Sequence, residues 1–109
     1  MSLVELNNDC YYQGDLDVLQ DIIDVNESLS GEEPLEIGGQ LWVDGRLDTL
    51  DLSTNQLISL PESIGDLSSL EDLELSSNQL TTLPESIGNL SSLTYLSLSF
   101  NQLTSLPES

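Results

Sequence analysis

The chain has 109 residues, with 20 Asp or Glu, one Lys or Arg and no His, so its formal charge is −19. An acid excess of this size argues against nucleic acid and against anionic membrane surfaces, because both would be repelled. With no His, no Lys and only Cys10, the chain lacks the base for Ser-His or Cys-His nucleophiles, the amine for Schiff-base chemistry and the ligands for a zinc site.

In chain order, residues 1–14 are polar apart from Leu3, Val4 and Leu6, and read as a loosely held arm. The first residues do not pair a basic segment with an apolar one. No signal peptide is therefore expected, and the default location is cytoplasmic, with an extracellular or surface location if the chain is part of a secreted parent. No stretch is long and apolar enough to span a bilayer. Asp15 is placed to cap a helix that carries Leu16, Leu19, Ile22 and Ile23 on one face, with Val18 and Val25 beside it. Ser30 to Pro34 is a loop. Leu35, Ile37, Leu41 and Val43 alternate around Gly38-Gly39, which predicts a hairpin. Asp9, Gly14, Leu16 and Asp17 fall at positions of a calcium loop, but Tyr11, Gln13 and Gln20 stand where it needs carboxylates, so no metal is expected. The sequons at Asn26 and Asn89 are short enough to arise by chance.

The rest of the chain repeats. Rows begin at Leu47, Leu70 and Leu93, a 23-residue period, and each reads L-x-x-L-x-L-x-x-N-x-L-x-x-L-P. A fixed period of this size means stacked units that share one core. In each row L-x-L alternates as a short half-buried strand does, so Leu50 and Leu52, Leu73 and Leu75, and Leu96 and Leu98 should point inward. Neighbouring rows then form a parallel sheet. Asn55, Asn78 and Asn101 follow each strand where the chain bends. Their amides can satisfy backbone groups the bend leaves unpaired, a structural ladder. Leu57, Leu80 and Leu103, then Leu60, Leu83 and Leu106, carry the core around the turn. Pro61 and Pro84 can open a short helical turn, and Gly65 and Gly88 fit just past it, where a positive φ favours glycine.

The rows resemble the leucine-rich repeat family. The I-G-x-L endings Ile64-Gly65-Asp66-Leu67 and Ile87-Gly88-Asn89-Leu90, with the Leu-Pro steps, resemble its 23-residue Ras-group or Shoc-type class. Trp42 to Leu52 is similar to the end of a plant-like N-terminal cap, although the cysteine pair usual there is absent. The resemblance implies an α/β fold: a right-handed solenoid with a parallel concave sheet, short convex turns, and a helix-and-hairpin cap. Residues 15–46 would be the cap and 47–109 the repeats, the third of them truncated. Such segments cover the otherwise open end of a solenoid core.

The resemblance also implies protein-protein interaction through the concave face. That face should present Asp51, Asp72 and Glu74 towards the cap and Tyr95, Ser97 and Phe100 at the far end, which suits a protein partner with a basic patch. Phe100 reads equally well as a cover for neighbouring apolar surface. Asp51 and Glu74 stand side by side in adjacent rows, as a glycosidase pair about 5–5.5 Å apart would. A flat open sheet encloses no sugar, however, and neither an enzyme nor a cofactor is expected. Like charges across strands should instead repel and raise carboxylate pKa values. The alternative is a structural or adhesive segment of a larger protein, with self-association through the uncapped C-terminal end.

Overall fold

The computed structural model describes residues 3–6 and 9–103. Strands β1 (Leu3–Leu6) and β2 (Asp9–Tyr12) pair antiparallel, and helix α1 (Gln13–Asp24) follows directly. Strands β3 (Gly39–Val43), β4 (Arg46–Asp51), β5 (Asp72–Glu74) and β6 (Tyr95–Ser97) form one open sheet in that order. β3 is antiparallel to β4, whereas β4, β5 and β6 run parallel, so the architecture is mixed α/β. Successive rows stay in register: Leu50 pairs with Leu73 and Leu73 with Leu96.

The leucines close one continuous core. Leu47, Leu50, Leu52, Leu57, Leu60, Ile64 and Leu67 of the first row are buried, as are Leu70, Leu73, Leu75, Leu80, Leu83 and Leu90 of the second. Val18, Leu19, Ile22 and Ile23 of α1 belong to the same cluster, with Leu29 and Ile37. The apolar face of α1 therefore serves the end of the leucine core, and the helix does not pack on a centre of its own. The third row closes less well. Leu96 is 36% exposed although its register partners Leu50 and Leu73 are 0%. Leu106 lies outside the described residues.

The return path of the first and second rows is a 3₁₀ turn, Glu62–Asp66 and Glu85–Asn89, preceded by Pro61 or Pro84 with φ of −74° and −66°. Gly65 has a different role from the one its sequence position suggested. It sits inside the turn, and the glycines with positive φ are Gly31, Gly38 and Gly45. A Cβ on Gly65 would collide with the Ser86 carbonyl oxygen of the next row, so this glycine permits the rows to stack closely.

The N-terminal third departs from expectation in three places. Within the arm β1 pairs with β2, and β2 is fixed to the sheet where the Tyr12 N–H donates to the Gly45 carbonyl at 2.7 Å and Tyr11 packs edge-on against Trp42 with ring centroids 4.8 Å apart. The two consecutive aromatics supply the anchorage that the polar composition of residues 1–14 obscured. Second, α1 begins at Gln13 with Tyr12 as N-cap, and Asp15 is buried within the first turn. Third, the sheet hairpin turns at Asp44-Gly45, with φ of 52° and 82°, and its strands are β3 and β4. Asp-Gly is the preferred pair for a two-residue turn with both φ positive, and it outcompetes Gly38-Gly39.

Candidate functional site

Two rows of side chains cross the solvent face of the sheet. In the first, Leu41, Thr49, Asp72 and Tyr95 lie side by side through the pairings of β3, β4, β5 and β6. In the second, Gly39, Asp51, Glu74 and Ser97 do the same. Directly paired residues share a face, so the acids and Tyr95 named from sequence are brought together. Phe100 lies three residues beyond β6 in a left-handed conformation, φ 58°. Thr54 and Ser77 hold the same conformation at the same place in their rows, φ 57° and 59°.

The carboxylates differ in environment. Asp51 Oδ1 accepts from the Ser53 Oγ–H at 2.7 Å and from the Ser53 backbone N–H at 3.0 Å. Those bonds, the hydroxyl's first, hold its pKa below the usual carboxylate value. The direction opposes the rise expected from repulsion by Glu74. Two donors favouring the ionised form outweigh a neighbouring charge largely screened by water. Asp72 has one oxygen, Oδ1, out of solvent and without a hydrogen-bond partner. Tyr95 is 52% exposed and Phe100 83%. At that exposure most of the Phe100 ring faces solvent.

Sequence reasoning missed Leu41 and Val43. They had been placed on a hairpin about Gly38-Gly39, but with the turn at Asp44-Gly45 they stand exposed on β3. The face is thus aliphatic at the β3 edge, acidic in the middle and aromatic at the β6 edge. The signal that could have found this is the Asp-Gly pair four residues before Asp48 and Thr49.

The ladder holds the strand ends in place behind this face. Asn78 is 5% exposed; its Oδ1 accepts from the Asn55 and Leu57 N–H groups, and its Nδ2 donates to the carbonyls of Leu52, Leu75 and Ser76. Asn101 repeats this one row on, accepting from Leu80 N–H and donating to the Leu75 and Leu98 carbonyls. The Asn55 side-chain amide donates within its own row, to the Ser53 carbonyl. The step before it is made by Asn26, which sequence reasoning had treated only as a sequon. Asn26 Oδ1 accepts from the Ile58 and Ser59 N–H groups, and Nδ2 donates to the Ile22 and Ser59 carbonyls. Its amide is buried and fully used, which leaves no room for a glycan.

The cation of the chain, Arg46, does not neutralise the face. Its Nε donates to Asp15 Oδ2 at 2.8 Å, its Nη2 reaches Asp15 Oδ1 and Ser68 Oγ, and its guanidinium lies 4.3 Å above the Tyr12 ring. The hydrogen bond to Asp15 raises the Arg46 pKa further. Asp15 also accepts the Leu47 N–H at 2.9 Å. One carboxylate therefore ties α1 to the start of the first row. Residues 9–20, compared above with a calcium loop, form strand and helix.

Comparison with known proteins agrees with this geometry. Residues 45–103, more than half of the chain, match the family model described as leucine rich repeat. A solved leucine-rich repeat protein of Leptospira interrogans is similar at 49% identity and a TM-score of 0.55, over 56% of this chain and 16% of that one. The present chain thus spans about a sixth of that protein's length. No curated protein matches. The matched rows, their in-register leucine core and their asparagine ladder show that the chain belongs to the leucine-rich repeat family.

Proposed function

We propose that this chain is a non-catalytic protein-interaction module that binds through the solvent face of its sheet, the concave face of a right-handed solenoid. The observation that carries this reading is the exposure of Tyr95 and Phe100, 52% and 83%, beside the acids of β4 and β5. Large aromatics in water are costly in a monomer and are typical of the centre of an interface. A basic patch on the partner complements Asp51, Asp72 and Glu74, speeds association and makes binding salt-dependent. The 23-residue rows support placement in the Ras-group or Shoc-type class. The hairpin and α1 support residues 15–46 as a plant-like cap for repeats from 47 to 109, held by packing, since Cys10 is free.

The test is recovery of binding proteins from a lysate of the source organism with wild type, Tyr95→Ala/Phe100→Ala and Asp51→Lys/Glu74→Lys. Loss of the same prey in both variants, with the charge reversal reducing recovery most at low salt, supports the reading. Unchanged recovery in both sinks it. The second reading, an adhesive or structural segment that self-associates, draws on the 36% exposure of Leu96 at the β6 edge. It predicts that only the chain itself is recovered.

A further inference from the structure

The cross-strand row Leu41, Thr49, Asp72, Tyr95 has a chemical pattern of its own. Its ends are apolar and about half exposed, Leu41 at 53% and Tyr95 at 52%. Near its middle, Asp72 keeps Oδ1 out of solvent with no donor. A carboxylate oxygen withdrawn from water without a partner is unfavourable, and so is exposed apolar surface at either end. The chain has no second cation to relieve Asp72, because its one Lys or Arg is Arg46, and Arg46 is held by Asp15. In the adjacent row Asp51, kept ionised by Ser53, and Glu74 deepen the negative potential. One ligand that brings apolar groups to the two edges and a cation to the centre covers the exposed ends and offsets the negative potential of Asp72, Asp51 and Glu74.

Spacing selects the form of that ligand. Neighbouring strands lie about 4.8 Å apart, so Leu41 and Tyr95, three strand steps from each other, are separated by roughly 14 Å. An extended chain advances about 3.4 Å per residue and shows every second side chain to the same face, so residues four apart are roughly 13.5 Å from each other. The residue midway falls between Thr49 and Asp72, within reach of a Lys or Arg side chain. We propose that this face takes an extended polypeptide segment crossing the strands, with a basic residue over Asp72 and an apolar residue two positions away on each side, over Leu41 and Tyr95. The proposal rests on the reading of this face as the binding surface and specifies the partner's chemistry.

The test titrates the isotope-labelled full chain with three capped synthetic peptides and follows backbone amide shifts. The first has the order Ser-Thr-Leu-Thr-Arg-Thr-Leu-Thr-Ser. The second has the same composition with both leucines adjacent to the arginine, and the third has glutamate in place of arginine. The expected result is a shift pattern centred on Leu41, Thr49, Asp72 and Tyr95, with the first peptide about tenfold tighter than the second and the third not binding. Asp72→Asn, which preserves shape, should weaken the first peptide about tenfold and reduce its salt dependence. Equal binding of the first two peptides, with shifts still on this face, overturns the spacing and leaves the broader binding reading standing. Asp24, Val25, Glu32, Glu33 and Ile58 line a separate groove beside the end of α1, and shifts confined to it overturn both. No shift from any peptide at millimolar concentration overturns the proposed ligand, while the lysate experiment with Tyr95 and Phe100 judges the broader reading independently.

Discussion

At the scale of single residues, the asparagines show how one side chain replaces lost secondary structure. After each short strand the chain turns inward and its peptide groups lose their ladder partners. Asn78 supplies donors and acceptors to five of them. Asn78→Ala should therefore cost at least about 1–3 kcal/mol, since several buried groups are left unpaired at once. Chemical denaturation with an unchanged slope and a lowered midpoint checks this. Asn26 should behave in the same way, although it lies outside the repeat.

Asp51 carries a prediction about pH. Its folded pKa is lowered by Ser53, so the folded state binds fewer protons there than the unfolded state. The contribution is fully present above the unfolded value of 3.8 and is lost as pH falls through the lower folded value. Acid melting curves below about pH 4 should thus show wild type losing stability faster than Asp51→Asn, and Ser53→Ala should remove part of the difference. A steeper acid loss in Asp51→Asn would contradict the assignment.

At the scale of elements, the repeats were legible in the sequence and the N-terminal third was legible only in part. Leucine spacing specifies inward positions because a strand has a period of two residues and the row recurs every 23. Register then follows, as with Leu50, Leu73 and Leu96. The hairpin was misplaced because Gly-Gly and Asp-Gly compete as turns and only backbone twist decides between them. That error hid Leu41 and Val43 from the face. The unpartnered Oδ1 of Asp72 and the bonds of Ser53 to Asp51 depend on rotamers, which the pattern of residue types does not encode. Asp15 was read as a cap because its partner Arg46 is 31 residues away.

That pair joins α1 to the first row. Arg46→Ala leaves the Asp15 carboxylate buried without its cation, and should destabilise by roughly 3–5 kcal/mol, moderated by the partial exposure of Arg46. Arg46→Lys should not restore stability, because an ammonium reproduces neither the two-pronged contact with Asp15 nor the stacking on Tyr12. Thermal melts of both variants, with Asp15→Asn/Arg46→Ala as the paired control, check this.

At the scale of the molecule, the chain is a stack with unequal ends. Leu19 and Ile22 of α1 are fully buried at one end, whereas Leu96 is partly exposed at the other. Removing residues 1–34 should uncover Leu47 and Leu57 and yield aggregated or unfolded protein. A deletion product that is monomeric by gel filtration and has native circular dichroism would show that α1 is dispensable. The formal charge is −19, and among the described residues no helix is long and apolar enough to cross a membrane. The face of the sheet carries exposed Leu41, Val43 and Tyr95 beside the acids of β4 and β5, with Phe100 just beyond β6, while Val25 and Ile58 are exposed near the end of α1.

The central claim is that this face, and not the row of 3₁₀ turns behind it, meets the partner. It is tested most directly by placing a photo-crosslinking amino acid at Tyr95 in one sample and at Glu62, exposed on the turn side, in another, and irradiating each in a lysate of the source organism. The account predicts a discrete protein adduct from position 95 that disappears when Asp51→Lys/Glu74→Lys is added, and none from position 62. Adducts of equal yield from both positions, or from position 62 alone, would contradict it.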